Sequence, residues 1–495
     1  MSILKKVFLV CLLWAVMLPM ASVTNAQPLV DLKVFHSISS HDLLDYATHL
    51  SSDRFKGRMS GSPEYIEAAK WVAGHLETWG LKPGVGDSSF FQWFPNAWTE
   101  VLSPGSVTLF PSAGSGSAPR ELKFPDDFYP GSNSATGNIY GEVVYTGFGI
   151  TALELGYDDY AGIDVRNKIV MIEAGVPYAQ NDENLSKWEP YSYHRYKLQR
   201  AHELGAVGVL YVGLVANPNT SYIDGFVVAH ISEEAAQELL NTTGRKFSEL
   251  KNTIVSQFAP QSFPLQRRVG ISATTMHHPN TMSCNVVGII EGGDPMLQKE
   301  AIIVGAHLDG VGSPGMLFPG ALDNASGVAD IMAAAKALAM SEIRPDRTII
   351  FVFFGGEECG LYGSSLAVSE PLWDKAKTRL MINLDMVGNG TGFHLAGAQS
   401  HPELLQHFVS GNQTYLHRSL TASEVRPQFG RPRTDGAVFE KAGYTVFGLY
   451  TTGSVKPVYY HHPLDNTDGL TPEIMEDAAK LLYLGILGIA NDRNL

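Results

Sequence analysis

The run Arg347 to Phe354 is apolar and β-branched and reads as a buried strand. It leads through Gly355-Gly356 into two adjacent carboxylates, Glu357 and Glu358. A buried strand that ends in two acids is costly unless those acids hold a metal or move a proton. Neighbouring side chains there point in different directions. One glutamate can therefore bind metal while the other stays free as a base, a pairing that implies hydrolytic chemistry.

Four more elements share this character. Ala301 to Ala306 is an apolar strand that runs into His307-Leu308-Asp309-Gly310. Gly320 to Gly327 carries Asp323-Asn324 and precedes an alanine-rich helix from about Val328 to Met340. Leu380 to Leu384 is apolar up to Asp385, and the series closes with Tyr459-Tyr460-His461-His462-Pro463-Leu464-Asp465. Ligands of open α/β sheets gather beyond the carboxyl ends of the strands. Taken singly, each residue has an ordinary reading: a turn histidine or aspartate, a helix cap at Asp323-Asn324, a packed aromatic at Tyr460. Five such positions in chain order, each at an element end, point to a single site.

These segments resemble the M28 family of zinc peptidases, aminopeptidases and carboxypeptidases that use two metal ions. The resemblance rests on His307-Leu308-Asp309, Leu322 to Gly327, Glu357 to Ser364, Asn383 to Gly388 and Tyr460-His461-His462-Pro463. A weaker likeness covers Leu50 to Leu81, with Gly57-Arg58 and Gly61-Ser62. The resemblance implies that His307 and Asp385 bind one zinc, that Glu358 and His461 bind the other, and that Asp323 bridges them. It makes Glu357 the general base and Tyr460 the donor to the developing oxyanion. Asp309 would hold the His307 ring in one tautomer. His462 stands where the family often has threonine, and the spacing to Pro463 and Asp465 favours His461 as the ligand. Two Zn²⁺ per chain are expected, with Co²⁺ or Mn²⁺ accepted in vitro.

The first 26 residues carry Lys5 and Lys6, an apolar run from Val7 to Leu18, and Thr24-Asn25-Ala26 before Gln27. They read as a secretory leader cut after Ala26, which places the mature chain in the periplasm or outside the cell. The apolar run is too short to span a bilayer. The sequence holds 36 basic and 50 acidic residues, a formal net charge of −14. That balance argues against nucleic acid and anionic lipid surfaces as partners. Peptides are the expected substrates, and oligomeric state is not legible. Cys284 and Cys359 are the cysteines beyond the leader, with nothing to fix their separation.

A chain of this length exceeds one core. Val101 to Ser117 is rich in serine, proline and glycine and reads as a boundary. Short β runs at Gly141 to Thr146 and Lys168 to Ile172 follow, then a helix from Tyr196 to Leu204 and a strand at Gly208 to Val212. This middle part resembles a protease-associated (PA) domain. The expected organisation is a leader over 1–26, peptidase segments over 27–104 and 265–495, and a β-rich PA-like insert over 105–264. The expected fold is a three-layer α/β/α sandwich with a mixed central sheet. The resemblance implies a zinc exopeptidase, first of all an aminopeptidase. A carboxypeptidase or dipeptidase is the alternative, with Arg431 and Arg433 as readers of a substrate carboxylate. A glutaminyl cyclase, or an inactive receptor-like protein, fits less well, because every ligand position and the base are occupied.

Overall fold

The computed structural model of the chain describes residues 30–495 apart from 87, 113–115, 179–184, 217, 219–220 and 426–430. The leader expected over 1–26 lies outside the described residues. The apolar runs of the C-terminal half form the centre of a nine-stranded mixed sheet. Thr348–Phe354, Ala301–His307, Thr378–Leu384 and Val446–Thr452 lie side by side and parallel. Met282–Ile290 and Gly392–Ala396 flank them antiparallel.

Side chains along a strand alternate between the two faces of the sheet, and here both faces are covered. Ile302, Val304, Ala306, Phe351, Phe353, Ile382 and Leu384 share a core with the helices Ser40–Leu50, Pro63–Thr78, Ser326–Met340 and Pro472–Asn491. Ala301, Ile303, Ile350, Val352, Phe354 and Met381 face the opposite layer, which contains Tyr362–Ser369 and Asp435–Lys441. The protein is thus a three-layer α/β/α sandwich. All four parallel strands end on one edge, and that edge carries His307, the Glu357-Glu358 turn and Asp385.

Between residues 98 and 278 the chain builds an eight-stranded sheet with its own core. Trp98–Phe110 and Phe263–His278 form a long antiparallel pair, registered from Trp98↔His278 to Phe110↔Arg268. The stretch from Val101, read from sequence as a boundary, is therefore largely strand. Its Pro104-Gly105 pair falls at an irregularity, where Ser103 pairs with Thr274 and Ser106 with Ser272. Proline has no N–H for the ladder, and Gly105 supplies a φ of +67°. His277 stacks on Tyr222 at 3.9 Å, and His278 stacks on Trp98 at 4.6 Å. Cys284 and Cys359 are buried free thiols. Among the described residues, no helix is long and apolar enough to cross a membrane.

The core of this second sheet encloses a lysine. Lys197 is fully buried and donates to the carbonyls of Glu173 and Gly175 at 2.9 and 2.6 Å. Burial pushes its ammonium down to about 7, although Asp159 and Glu173 act to raise it. A lysine with a lowered folded pKa releases its proton in the native state while the unfolded chain still holds one. Stability contributed by this group therefore rises with pH above about 7, by up to about 1.4 kcal/mol per pH unit. Lys197→Met should remove that rise, as read from urea midpoints of both proteins across pH 6 to 10.

Candidate metal centre

The site is built from loops that leave the parallel strands, and each loop is braced by an embedded polar group. His307 ends its strand, and its Nδ1 lies 3.1 Å from the main-chain oxygen of Asp309 but 3.9 Å from Asp309 Oδ1. The main-chain carbonyl therefore sets the tautomer and leaves Nε2 free to face inward. The Asp309 carboxylate, assigned to the ring from sequence, accepts instead from the N–H groups of Glu357 and Glu358 at 3.1 and 3.2 Å. It fixes the turn that aims both glutamates. The glycines before them are sterically required. A Cβ on Gly355 would come within 2.4 Å of Tyr65 Oη and 2.6 Å of the Cys284 oxygen.

Asp323 sits just before the helix Ser326–Met340. Its N–H and that of Leu322 donate to the Asp465 carboxylate at 3.0 and 2.8 Å. Asn324 Nδ2 donates to Leu384 O at 2.9 Å, and its Oδ1 accepts from Gly327 N and Met386 N. One amide thus ties the Asp323 turn to the strand end that bears Asp385. Arg58 is the largest brace. Its buried guanidinium donates to the carbonyls of Leu50, Leu308, Pro319 and Gly320 at 2.7 to 2.9 Å. Burial pushes it down to about 10, opposed by Asp465, Asp309 and Asp323. Asp465, Asn324 and Arg58 have no assigned role in the sequence reading; the only signal for Arg58 was the Gly57-Arg58 resemblance. Truncation as Arg58→Met strands buried carbonyls, and should cost on the order of 3–5 kcal/mol in denaturant unfolding.

Six side chains converge inside this frame. Nε2 of His307 is 3.2 Å from Asp323 Oδ1 and 3.6 Å from Asp385 Oδ1. Nε2 of His461 is 2.9 Å from Glu358 Oε2 and 3.5 Å from Asp323 Oδ2. Asp323 thus turns one oxygen to each histidine. His307–Asp323–Asp385, Asp323–Glu358–His461 and His307–Glu357–Glu358 each gather ligand atoms within 4.8 Å of one another. His461 Nε2 and Asp385 Oδ1 are buried yet make no well-directed hydrogen bond. A buried acceptor left without a hydrogen-bond partner is expected where a cation binds it. The donor set fits a pair of divalent ions: nitrogen and oxygen ligands in two groups that share a carboxylate.

Electrostatics agrees with that fit. Burial alone would lower the pKa of His307, but Asp323 and Asp385 hold it well above the ordinary imidazole value. In His461 burial is likewise outweighed by Glu358 and Asp323. The cluster thus demands positive charge at both imidazoles. Burial raises Glu357 well above the usual carboxyl range; His307 opposes this, while Glu358, Asp435 and Asp385 add to it.

His461 adopts a left-handed φ of +48°, which turns its ring inward beneath Tyr460, stacked at 3.9 Å. His462 instead packs against Tyr459 and accepts from Leu464 N. The side chains of His307, Asp323, Glu358 and His461 are 2 to 9% exposed, against 28% for Asp385. The open side of the cluster therefore lies over Asp385, and Tyr460 is 54% exposed beside it. Arg431 lies over the Tyr193 ring of the second sheet's domain at 5.5 Å, and Arg433 is exposed.

The model of peptidase family M28 matches residues 285–484. "Leupeptin-inactivating enzyme 1" of Streptomyces exfoliatus is 31% identical over 169 residues, which is 34% of this chain and 35% of that protein. "Aminopeptidase YwaD" of Bacillus subtilis is 29% identical over 218 residues, or 42% and 45% of the two chains. The chain thus matches less than half the length of either relative. In three dimensions the likeness is broader. The structure titled "BSAP, a zinc aminopeptidase from Bacillus subtilis" superposes with a TM-score of 0.58 at 19% identity, covering 92% of this chain and 96% of that one. The segment 285–484, which carries every residue of the cluster, is thus similar to peptidase family M28.

Proposed function

We propose that the protein is a two-zinc aminopeptidase that removes the first residue of peptides with a free N-terminus. The observation that carries this reading is Asp323, one carboxylate with an oxygen toward each of two histidines. His307 and Asp385 would hold one ion, Glu358 and His461 the other, and Asp323 would serve both. When bound, the ions supply an activated water and polarise the scissile carbonyl. Glu357 accepts the proton of the attacking water and passes it to the leaving amine. Tyr460, although half of its surface is exposed, keeps its hydroxyl proton, because desolvation of the hydroxyl and the neighbouring carboxylates raise its pKa. It donates to the oxyanion as charge develops there.

Charge supports an amino- rather than a carboxypeptidase. Beyond His307, the groups acting on Glu357 are Glu358, Asp435 and Asp385, all acidic. Arg58 is committed to four carbonyls, and Arg431 lies over the Tyr193 ring. A substrate ammonium suits this surface better than a carboxylate. The names of the relatives, aminopeptidases among them, point the same way. We read the second sheet and its helices as the PA-like insert, seated beside the cleft. Dialysis against a chelator should abolish release of the first residue from an unblocked peptide, and zinc should restore it. Full turnover after complete metal removal would rule the reading out.

A further inference from the structure

His307 and His461 hold their outer ring nitrogens in different ways. His307 Nδ1 is satisfied within its own loop, by the main-chain oxygen of Asp309 two residues on. The partner of His461 Nδ1 is the main-chain oxygen of Ala216, 2.8 Å away and 245 residues distant in sequence. Ala216 lies just past the strand Gly208–Val212 of the second sheet. Gly213 N donates to Ile231 O at 2.8 Å, which fixes the start of this segment. Leu214 and Ala216 then pack with Tyr129 of the same sheet against Val311 and Phe318, which precede the Asp323 turn. Tyr129 meets Phe318 edge-on at 5.4 Å. Phe318 is followed by Pro319 and Gly320, whose carbonyls Arg58 grips, and then by Asp323. The second sheet thus touches the metal centre at two linked points, the His461 ring and the root of the Asp323 turn.

We propose that this contact makes the inserted domain a structural part of one half of the metal centre: docking of the Leu214–Ala216 segment positions His461, and so sets the affinity of the Asp323–Glu358–His461 side for its ion. Ala216 acts through His461 and touches neither metal nor substrate. The His307–Asp385 side draws its ring brace from its own loop and meets the docked segment only through the shared Asp323, whose turn Asp465 and Arg58 also hold. The inference rests on the two-ion reading above. Loss of the group that braces a metal-binding imidazole typically costs 10–100-fold in metal affinity.

The test uses the full chain and zinc, with chelator competition resolving two binding steps. Ala216→Phe places bulk where Ala216 is buried and displaces its carbonyl; Tyr129→Ala loosens the same segment by removing its packing partner. Either variant, with an unchanged far-ultraviolet spectrum, should weaken one zinc step about 10–100-fold and the other by much less. In an Asp385→Ala background the weakening should persist; in a His461→Ala background it should vanish, because the ring that Ala216 holds is gone. Two zinc steps weakened equally, or neither weakened, would overturn the inference while leaving the two-ion reading intact. A wild-type protein that binds fewer than two ions would overturn both.

Discussion

Glu357→Gln should retain two zinc ions per chain and lose about 10²–10⁴ of turnover. Glutamine keeps the shape of the side chain but cannot accept a proton. The Asp309 carboxylate grips the main-chain N–H groups of residues 357 and 358, so the turn does not depend on the Glu357 side chain. Glu358 carries the other role, with Oε2 at 2.9 Å from His461 Nε2. Metal content by mass spectrometry, measured beside kcat on one peptide, separates the two assignments. Loss of an ion in Glu357→Gln with full occupancy in Glu358→Gln would reverse them.

Asp323→Asn should be the most damaging single substitution in the cluster. The aspartate offers Oδ1 to the His307 side and Oδ2 to the His461 side, and an amide replaces one oxygen with a donor. One ion should be lost and the other bound at least about 100-fold more weakly, beyond what an outer brace costs. Activity should fall to or below the level of Glu357→Gln. The fold should survive, because Asp465 holds the turn through main-chain N–H groups and Arg58 grips Pro319 and Gly320. Zinc stoichiometry and thermal unfolding on one preparation check both statements. Two fully bound ions in Asp323→Asn would remove the shared carboxylate from the account.

The central sheet was legible because its strands are buried on both faces. Runs such as Thr348–Phe354 contain no polar residue after the threonine, and little else accommodates them. His307, Glu357, Glu358 and Asp385 were legible because they stand at or just past the point where such a run stops. What holds them was not. Ala216 and Asp309 act on the two histidines through main-chain oxygens, which every residue possesses and no side-chain pattern reveals. Arg58 lies fully buried among carbonyls, a place where arginine is rare, and its residue type alone does not indicate that role. Spacing favoured His461 over His462, but the left-handed backbone turn that aims the His461 ring was not legible, because no local propensity favours it. The strand over the Val101 stretch was hidden by Pro104-Gly105, which the long pair accommodates as an irregularity.

The most direct test of the account offers the zinc-loaded protein one peptide in three forms: unblocked, N-acetylated and C-amidated, with products followed by mass spectrometry. The acidic, open edge over Asp385 and Glu357 predicts loss of the first residue from the unblocked and amidated forms and none from the acetylated one. Loss of the last residue, blocked by amidation and untouched by acetylation, would contradict it.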